Sequence, residues 1–109
     1  MIRAYAHSTI EEFARHASIP VINGLSDLEH PCQTLADLMT IKEYKKKLRG
    51  IKVAWVGDGN NVCNSLIGGC ALMDMDISIA CPGGYEPAEQ VIRRAEAMGA
   101  RIHLSLIHI

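Results

Sequence analysis

The sequence predicts an α/β protein: the end of one parallel α/β unit, a linking helix, and the first βαβαβ of a second, doubly wound unit. Three observations carry this. Short apolar runs alternate with helical patterns along the chain, which is the signature of a parallel sheet covered by helices. The composition changes abruptly after Arg49-Gly50, where a fresh strand-like run begins. A glycine-rich turn then joins that run to the next helical pattern.

In order, Ser8-Thr9-Ile10-Glu11 has the S-x-x-E form of a capping box, and Ile10, Phe13, Ala14 and Ala17 share one helical face. A helix is expected over residues 9–17. The β-branched run at residues 19–24 reads as a strand end closed by Asn23-Gly24, leading into a functional loop at residues 25–31. Residues 32–47 are helical, with Leu35, Leu38, Met39 and Ile41 as the expected buried stripe. The lysines in the last turns complement the helix dipole and solvate the outer face, so they need no phosphate ligand to explain them. Residues 51–56 form a strand that runs into Gly57-Asp58-Gly59-Asn60-Asn61, and a helix follows with Val62, Leu66, Gly69 and Met73 on one side. A strand at residues 77–81, a Pro-Gly-Gly turn, a helix with Pro87 in its first turn and Gly99 after its end, and a strand at residues 101–104 complete the pattern.

At 109 residues the chain suffices for one small domain, about half or less of what a two-substrate enzyme of this architecture needs. A formal charge of −1 and five scattered histidines supply no field for nucleic acid or an anionic membrane, so the expected partners are small molecules or other subunits. No apolar stretch approaches the roughly 18 residues that span a bilayer. The start, MIRAYAHSTIEEF, has neither a secretory h-region nor a transit-peptide bias, and a cytoplasmic setting is expected. Cys32, Cys63, Cys70 and Cys81 are spaced too widely for a zinc pair and read as reduced, packed thiols.

One constellation carries chemistry. His30-Pro31-Cys32-Gln33 sits where a loop enters a helix, whose unpaired backbone N–H groups and positive dipole end suit a polar or anionic ligand. By residue type alone, the same four residues are also compatible with a plain loop histidine and a first-turn glutamine. Gly57-x-Gly59 after a strand has a Rossmann-like, dinucleotide-binding arrangement, but Val62 stands where that motif has its third small residue. The next strand ends Ala80-Cys81-Pro82, without a carboxylate for a ribose.

The run VINGLSDLEHPCQTLADLMTI resembles the carbamoyl phosphate signature of the aspartate and ornithine carbamoyltransferase family. Trp55-Val56-Gly57-Asp58-Gly59-Asn60-Asn61 resembles the G-D-x-x-N-N segment of the ornithine-using members, where the aspartate-using members have G-D-L-x-x-G-R. The resemblance runs from Arg3 to about Ile102. It implies that His30, Gln33 and Arg3 contact the carbamoyl group of carbamoyl phosphate, with His30 and Arg3 catalytic, and that Asn61 binds the amino-acid end of ornithine. The products are citrulline and phosphate, with no cofactor or metal, and the complete protein is expected to be a homotrimer or an assembly of trimers. It also implies a division of the chain: residues 1–48 as the end of the carbamoyl phosphate domain with its linking helix, and 49–104 as the start of the ornithine domain. The family's S-x-R-T, D-x-x-x-S-M and H-C-L-P motifs do not occur, so the chain reads as an internal fragment, inactive alone. Residues 105–109 run on apolar where the family turns towards Asp-Pro, and read as a non-native tail. Two alternatives stay open: another amine acceptor such as putrescine, and a non-catalytic Rossmann-like module.

Overall fold

The computed structural model describes residues 1–107. Its elements are β1 (Ile2–Arg3), α1 (His7–His16), β2 (Asn23–Leu25), α2 (Pro31–Lys45), β3 (Lys52–Val56), α3 (Asn61–Leu72), β4 (Asp76–Pro82), α4 (Glu89–Ala97) and β5 (Ile102–Ile107). Strands β1 and β2 pair in parallel, and β3, β4 and β5 form a second parallel sheet in that order. The alternation of strands and helices is therefore the α/β architecture expected. Among the described residues, no helix is long and apolar enough to cross a membrane.

The core lies under the second sheet. Ile77, Ile79 and Cys81 point to one face of the central strand β4, as the period of two requires, and all three are buried. Their partners in register, Val53 and Trp55 on β3 and Ile102 on β5, continue that face. Against it pack Cys63, Leu66, Ile67 and Cys70 of α3, Val91 and Ala95 of α4, and Leu38 of α2. Helix α3 is buried on several sides because the sheet, α2 and α4 all lean on it.

The local details depart from the sequence reading at four places. Helix α1 starts at His7, not at residue 9, and the Ser8 capping box does not form: Ala6 is the N-cap and no side chain of its own turn caps it. Instead Asp27, twenty residues away, accepts from the His7 backbone N–H at 2.9 Å, so the orphan donor of the first turn is satisfied from outside the helix. Of the expected α1 face only Ile10 is buried, and Phe13 stays 55% exposed.

In α2 the buried residues are Thr34 and Leu38, while Leu35 and Met39 are 63% and 66% exposed. The cause is the close approach of α3 at Gly69, where an added Cβ would stand 2.5 Å from the Thr34 methyl. A short β-branched side chain fits that crossing, and the bulkier Leu35 is turned aside to line an open apolar groove with Leu72 and Met98.

Pro87 lies before α4 rather than in its first turn: Ala88 is the N-cap, and its N–H donates to Asn64 Oδ1 at 3.0 Å. Finally, β5 continues past residue 104, pairing Ser105, Leu106 and Ile107 with Ala80, Cys81 and Pro82. The last two residues of the tail segment, 108 and 109, lie outside the described residues.

Candidate functional site

Three chain segments meet around the loop at residues 26–30. The first is the carboxyl end of the small sheet, where Arg3 pairs in register with Leu25 and the chain leaves β2 into the loop. Ligands of open parallel sheets bind beyond such carboxyl ends. The second is the start of α2, and the third is the start of α3.

The loop is folded on Ser26, whose side chain is fully buried. The Ser26 backbone N–H donates to the Glu29 carbonyl at 2.8 Å, and the Glu29 N–H donates back to Ser26 Oγ at 3.1 Å. His7 Nδ1 stands 2.8 Å from the same hydroxyl, and Asn23 Nδ2 reaches it at 3.4 Å. The Asp27 N–H donates to the Tyr5 carbonyl at 2.6 Å, which ties the loop to the segment following β1.

At the end of this loop His30 is the N-cap of α2, with Pro31 at the first helical position, where its missing N–H costs nothing. The His30 side chain makes no capping hydrogen bond, and its Nδ1 is buried without a partner among the described residues. Gln33, in the same first turn, is exposed and donates from Nε2 to Asp37 Oδ1 at 3.0 Å, along its own helix. Arg3 is exposed and forms no ion pair among the described residues. The four predicted residues thus sit at the borders of one loop, with Gln33 and Asn61 engaged by neighbouring protein groups.

Asn61 occupies the opposite wall. Its Nδ2 donates to the Ser26 carbonyl at 2.8 Å and its Oδ1 accepts from the Val62 N–H at 2.9 Å. The turn that delivers it is sterically fixed. Gly57 has φ +142°, a backbone that side chains rarely adopt, and a Cβ on Gly59 would lie 2.1 Å from the Pro87 nitrogen. Asn60 then caps α3 by accepting from the Cys63 N–H at 3.1 Å.

Sequence reasoning missed the residues that bind the loop to α3. Asn64 Nδ2 donates to the Leu28 carbonyl at 2.9 Å, and Ser65 Oγ donates to Glu29 Oε2 at 2.8 Å while accepting from the His30 N–H at 2.8 Å. A signal was present: Asn64-Ser65 are adjacent polar residues inside an otherwise apolar helix, where only a buried hydrogen-bonding partner makes them tolerable.

Three of the four cysteines are held in their protonated form by burial. Burial pushes the Cys63 thiol up to about 12, with the nearby Cys81 and Cys70 adding to it, and pushes Cys70 up to about 11 with Asp76 adding. Burial also raises Cys81. All four cysteines are free thiols, and no group of three or more metal-binding side chains occurs among the described residues. What the site offers is a helix N-terminus with a histidine, an exposed arginine at the end of the neighbouring strand, and amides at the starts of two helices: groups suited to an anionic or polar ligand.

Comparison with known proteins gives the family. Residues 1–43 match the carbamoyl-P binding domain of aspartate/ornithine carbamoyltransferase, and residues 49–107 match its Asp/Orn binding domain. The ornithine carbamoyltransferase of Methanosarcina acetivorans is 52% identical over 105 residues, covering 96% of this chain and 35% of that protein. That of Carboxydothermus hydrogenoformans is 63% identical over 91 residues, 84% of this chain and 29% of the relative. Among solved structures, ornithine carbamoyltransferase from Pyrococcus furiosus superposes with a TM-score of 0.90 at 47% identity, covering 95% of this chain and 34% of that one. The catalytic subunit of Methanocaldococcus jannaschii aspartate transcarbamoylase, at 24% identity and a TM-score of 0.75, shares the fold. The chain thus spans about a third of the length of the relatives it matches. With both domain models matched in sequence order, the chain belongs to the aspartate/ornithine carbamoyltransferase family.

Proposed function

We propose that the complete protein carrying this chain transfers the carbamoyl group of carbamoyl phosphate to the side-chain amine of L-ornithine. The observation that carries this reading is the meeting of the His30 end of α2 and the Asn61 end of α3 at one loop. The name shared by the relatives above supports ornithine as the acceptor. Residues 1–48 belong, in this reading, to the carbamoyl phosphate side and 49–104 to the ornithine side.

The amine lone pair attacks the carbonyl carbon, a tetrahedral species forms, the bond to the phosphate oxygen breaks with its electron pair, and the amine nitrogen gives up a proton. The side-chain amine, with an ordinary pKa of about 10.4 by analogy with lysine, must reach the carbon deprotonated. Arg3 and His30 stabilise the charge growing on the carbonyl oxygen, as donors fixed in advance do. Gln33 orients the carbamoyl amide, and Asn61 takes the ammonium and carboxylate of the acceptor, because an amide both accepts and donates. In this reading Gln33 gives up Asp37, and Asn61 gives up the Ser26 carbonyl, as these contacts form. Substrate binding is therefore coupled to a rearrangement across the loop. The complete protein works in the cytoplasm as a homotrimer or an assembly of trimers.

Product formation by the complete protein with carbamoyl phosphate and each of ornithine, putrescine and aspartate tests the reading. Citrulline is expected as the dominant product. Preference for putrescine or aspartate, or no carbamoylated product at all, overturns the assignment. The 109-residue chain by itself is expected to make none, since its relatives use about three times its length.

A further inference from the structure

The Ser65 hydroxyl has an unusual job for a serine inside a helix. Such hydroxyls ordinarily point to solvent or bond back to the carbonyl one turn earlier. Ser65 is 5% exposed and does neither: it reaches 35 residues back in sequence to accept from the His30 backbone N–H at 2.8 Å, and its own O–H donates to Glu29 Oε2, also at 2.8 Å. One hydroxyl therefore holds both the N-cap residue of α2 and the residue before it. Ser65 lies within the stretch matched by the Asp/Orn binding domain and His30 within the carbamoyl-P binding domain, so the bond joins the two.

Nothing local could do the same work. The His30 side chain caps nothing, and its backbone, at φ −138° and ψ 70°, is neither helical nor a regular extended cap. The direction of the imidazole follows from that backbone, and the backbone is held through its N–H. Neighbouring bonds fix the rest of the loop to the same helix: Asn61 on the Ser26 carbonyl and Asn64 on the Leu28 carbonyl. Of the three, the Ser65 bond alone reaches the residue assigned to the carbamoyl oxygen.

We propose that Ser65 is a positioning residue for carbamoyl transfer, its hydroxyl holding His30 in place from the acceptor-side helix and leaning on Glu29 to stay oriented. The proposal rests on the reading of His30 given under Proposed function. A misplaced catalytic group costs rate rather than affinity for the second substrate.

The test is a double-mutant cycle in the complete protein, with kcat, the ornithine KM and the melting temperature measured for Ser65→Ala, His30→Ala and the pair. Ser65→Ala is expected to lower kcat about tenfold with the ornithine KM within about twofold of the parent. In the His30→Ala background the same substitution is expected to cost less than about twofold more, because its route to the chemistry is already gone. Glu29→Ala is expected to lower kcat severalfold, and Glu29→Gln, which keeps an acceptor oxygen for the serine, to lose less. If Ser65→Ala proves unfolded, the half-buried Glu29 pair carries the test, and equal kcat for Glu29→Ala and the parent overturns the proposal. A Ser65→Ala effect of equal size in both backgrounds, or none in the parent, overturns it while leaving the role of His30 standing. A His30→Ala variant with parental turnover removes the proposed role of His30 and this proposal with it.

Discussion

Helices α2 and α3 begin beside the same loop, and their first turns are completed in opposite ways. Helix α3 is finished from within: Asn60 caps it, Asn61 accepts from the Val62 N–H in its first turn, and Asn64 and Ser65 use their remaining capacity on the loop and on α4. Helix α2 is left open: its N-cap histidine contributes no capping bond, its first N–H is absent at Pro31, and the buried His30 Nδ1 lacks a partner among the described residues. A satisfied terminus holds shape, and an unsatisfied one is ready to hold a ligand. The difference fits the proposed division, in which α3 is scaffold and α2 presents the reacting group, with Asn61 the residue on α3 proposed to meet the acceptor.

The largest expected effect comes from breaking the α3 side. Gly59→Ala places a Cβ 2.1 Å from the Pro87 nitrogen and 2.5 Å from the Glu86 carbonyl carbon, both backbone atoms that cannot rotate away. Denaturant unfolding of the complete protein should show a loss of about 3 kcal/mol or more, at the upper end of overpacking costs. A loss under about 1 kcal/mol would mean that the turn is free to shift.

Capping sharpens the same contrast at a smaller scale. Asn60→Ala removes the acceptor for the Cys63 N–H and should cost about 1 kcal/mol of stability. His30→Ala, at the equivalent N-cap of α2, removes no cap bond and should leave stability within about 0.5 kcal/mol of the parent. Thermal unfolding of the two variants side by side checks the ordering, and equal losses would erase the distinction between the helix ends.

A separate, pH-dependent effect appears under alkaline conditions. Cys63 and Cys70, on the scaffold side, hold their protons up to about 12 and about 11 in the folded state, against an ordinary thiol near 9. The unfolded chain therefore releases these protons first as pH rises, and stability should fall from about pH 9 upward through about pH 11. Below pH 9 both states hold the protons, and these thiols contribute no slope. Chemical denaturation at a series of pH values measures it, and a flat profile from pH 8.5 to 10.5 would contradict the buried, protonated thiols.

How far the sequence revealed this depended on the range of the interactions. The strands and helices of the second sheet follow from apolar runs and turn residues, and β4 lies within one residue at each end of the run at 77–81. The start of α1 was misread because Asp27, brought near only by folding, replaces the local cap that Ser8 suggests. The face of α2 was misread because Gly69 admits Thr34 and turns Leu35 aside, which no periodicity within α2 can express. In the site, His30, Gln33, Arg3 and Asn61 stood out through their motifs, whereas Ser26, Glu29, Asn64 and Ser65 did not. Their partners lie up to 36 residues away, and a contact of that reach leaves only an indirect mark, such as a polar pair in an apolar helix.

The central claim is that the two helix ends serve different substrates, and steady-state kinetics of His30→Ala and Asn61→Ala in the complete protein test it most directly. With carbamoyl phosphate and ornithine varied in turn, His30→Ala should lower kcat by about 10²-fold or more, as loss of an oxyanion donor does, with the ornithine KM little changed. Asn61→Ala should raise the ornithine KM by about tenfold or more while the carbamoyl phosphate constant stays within about twofold. If both variants lose kcat and both substrate constants in the same proportions, or if His30→Ala turns over within twofold of the parent, the division of labour between α2 and α3 is contradicted.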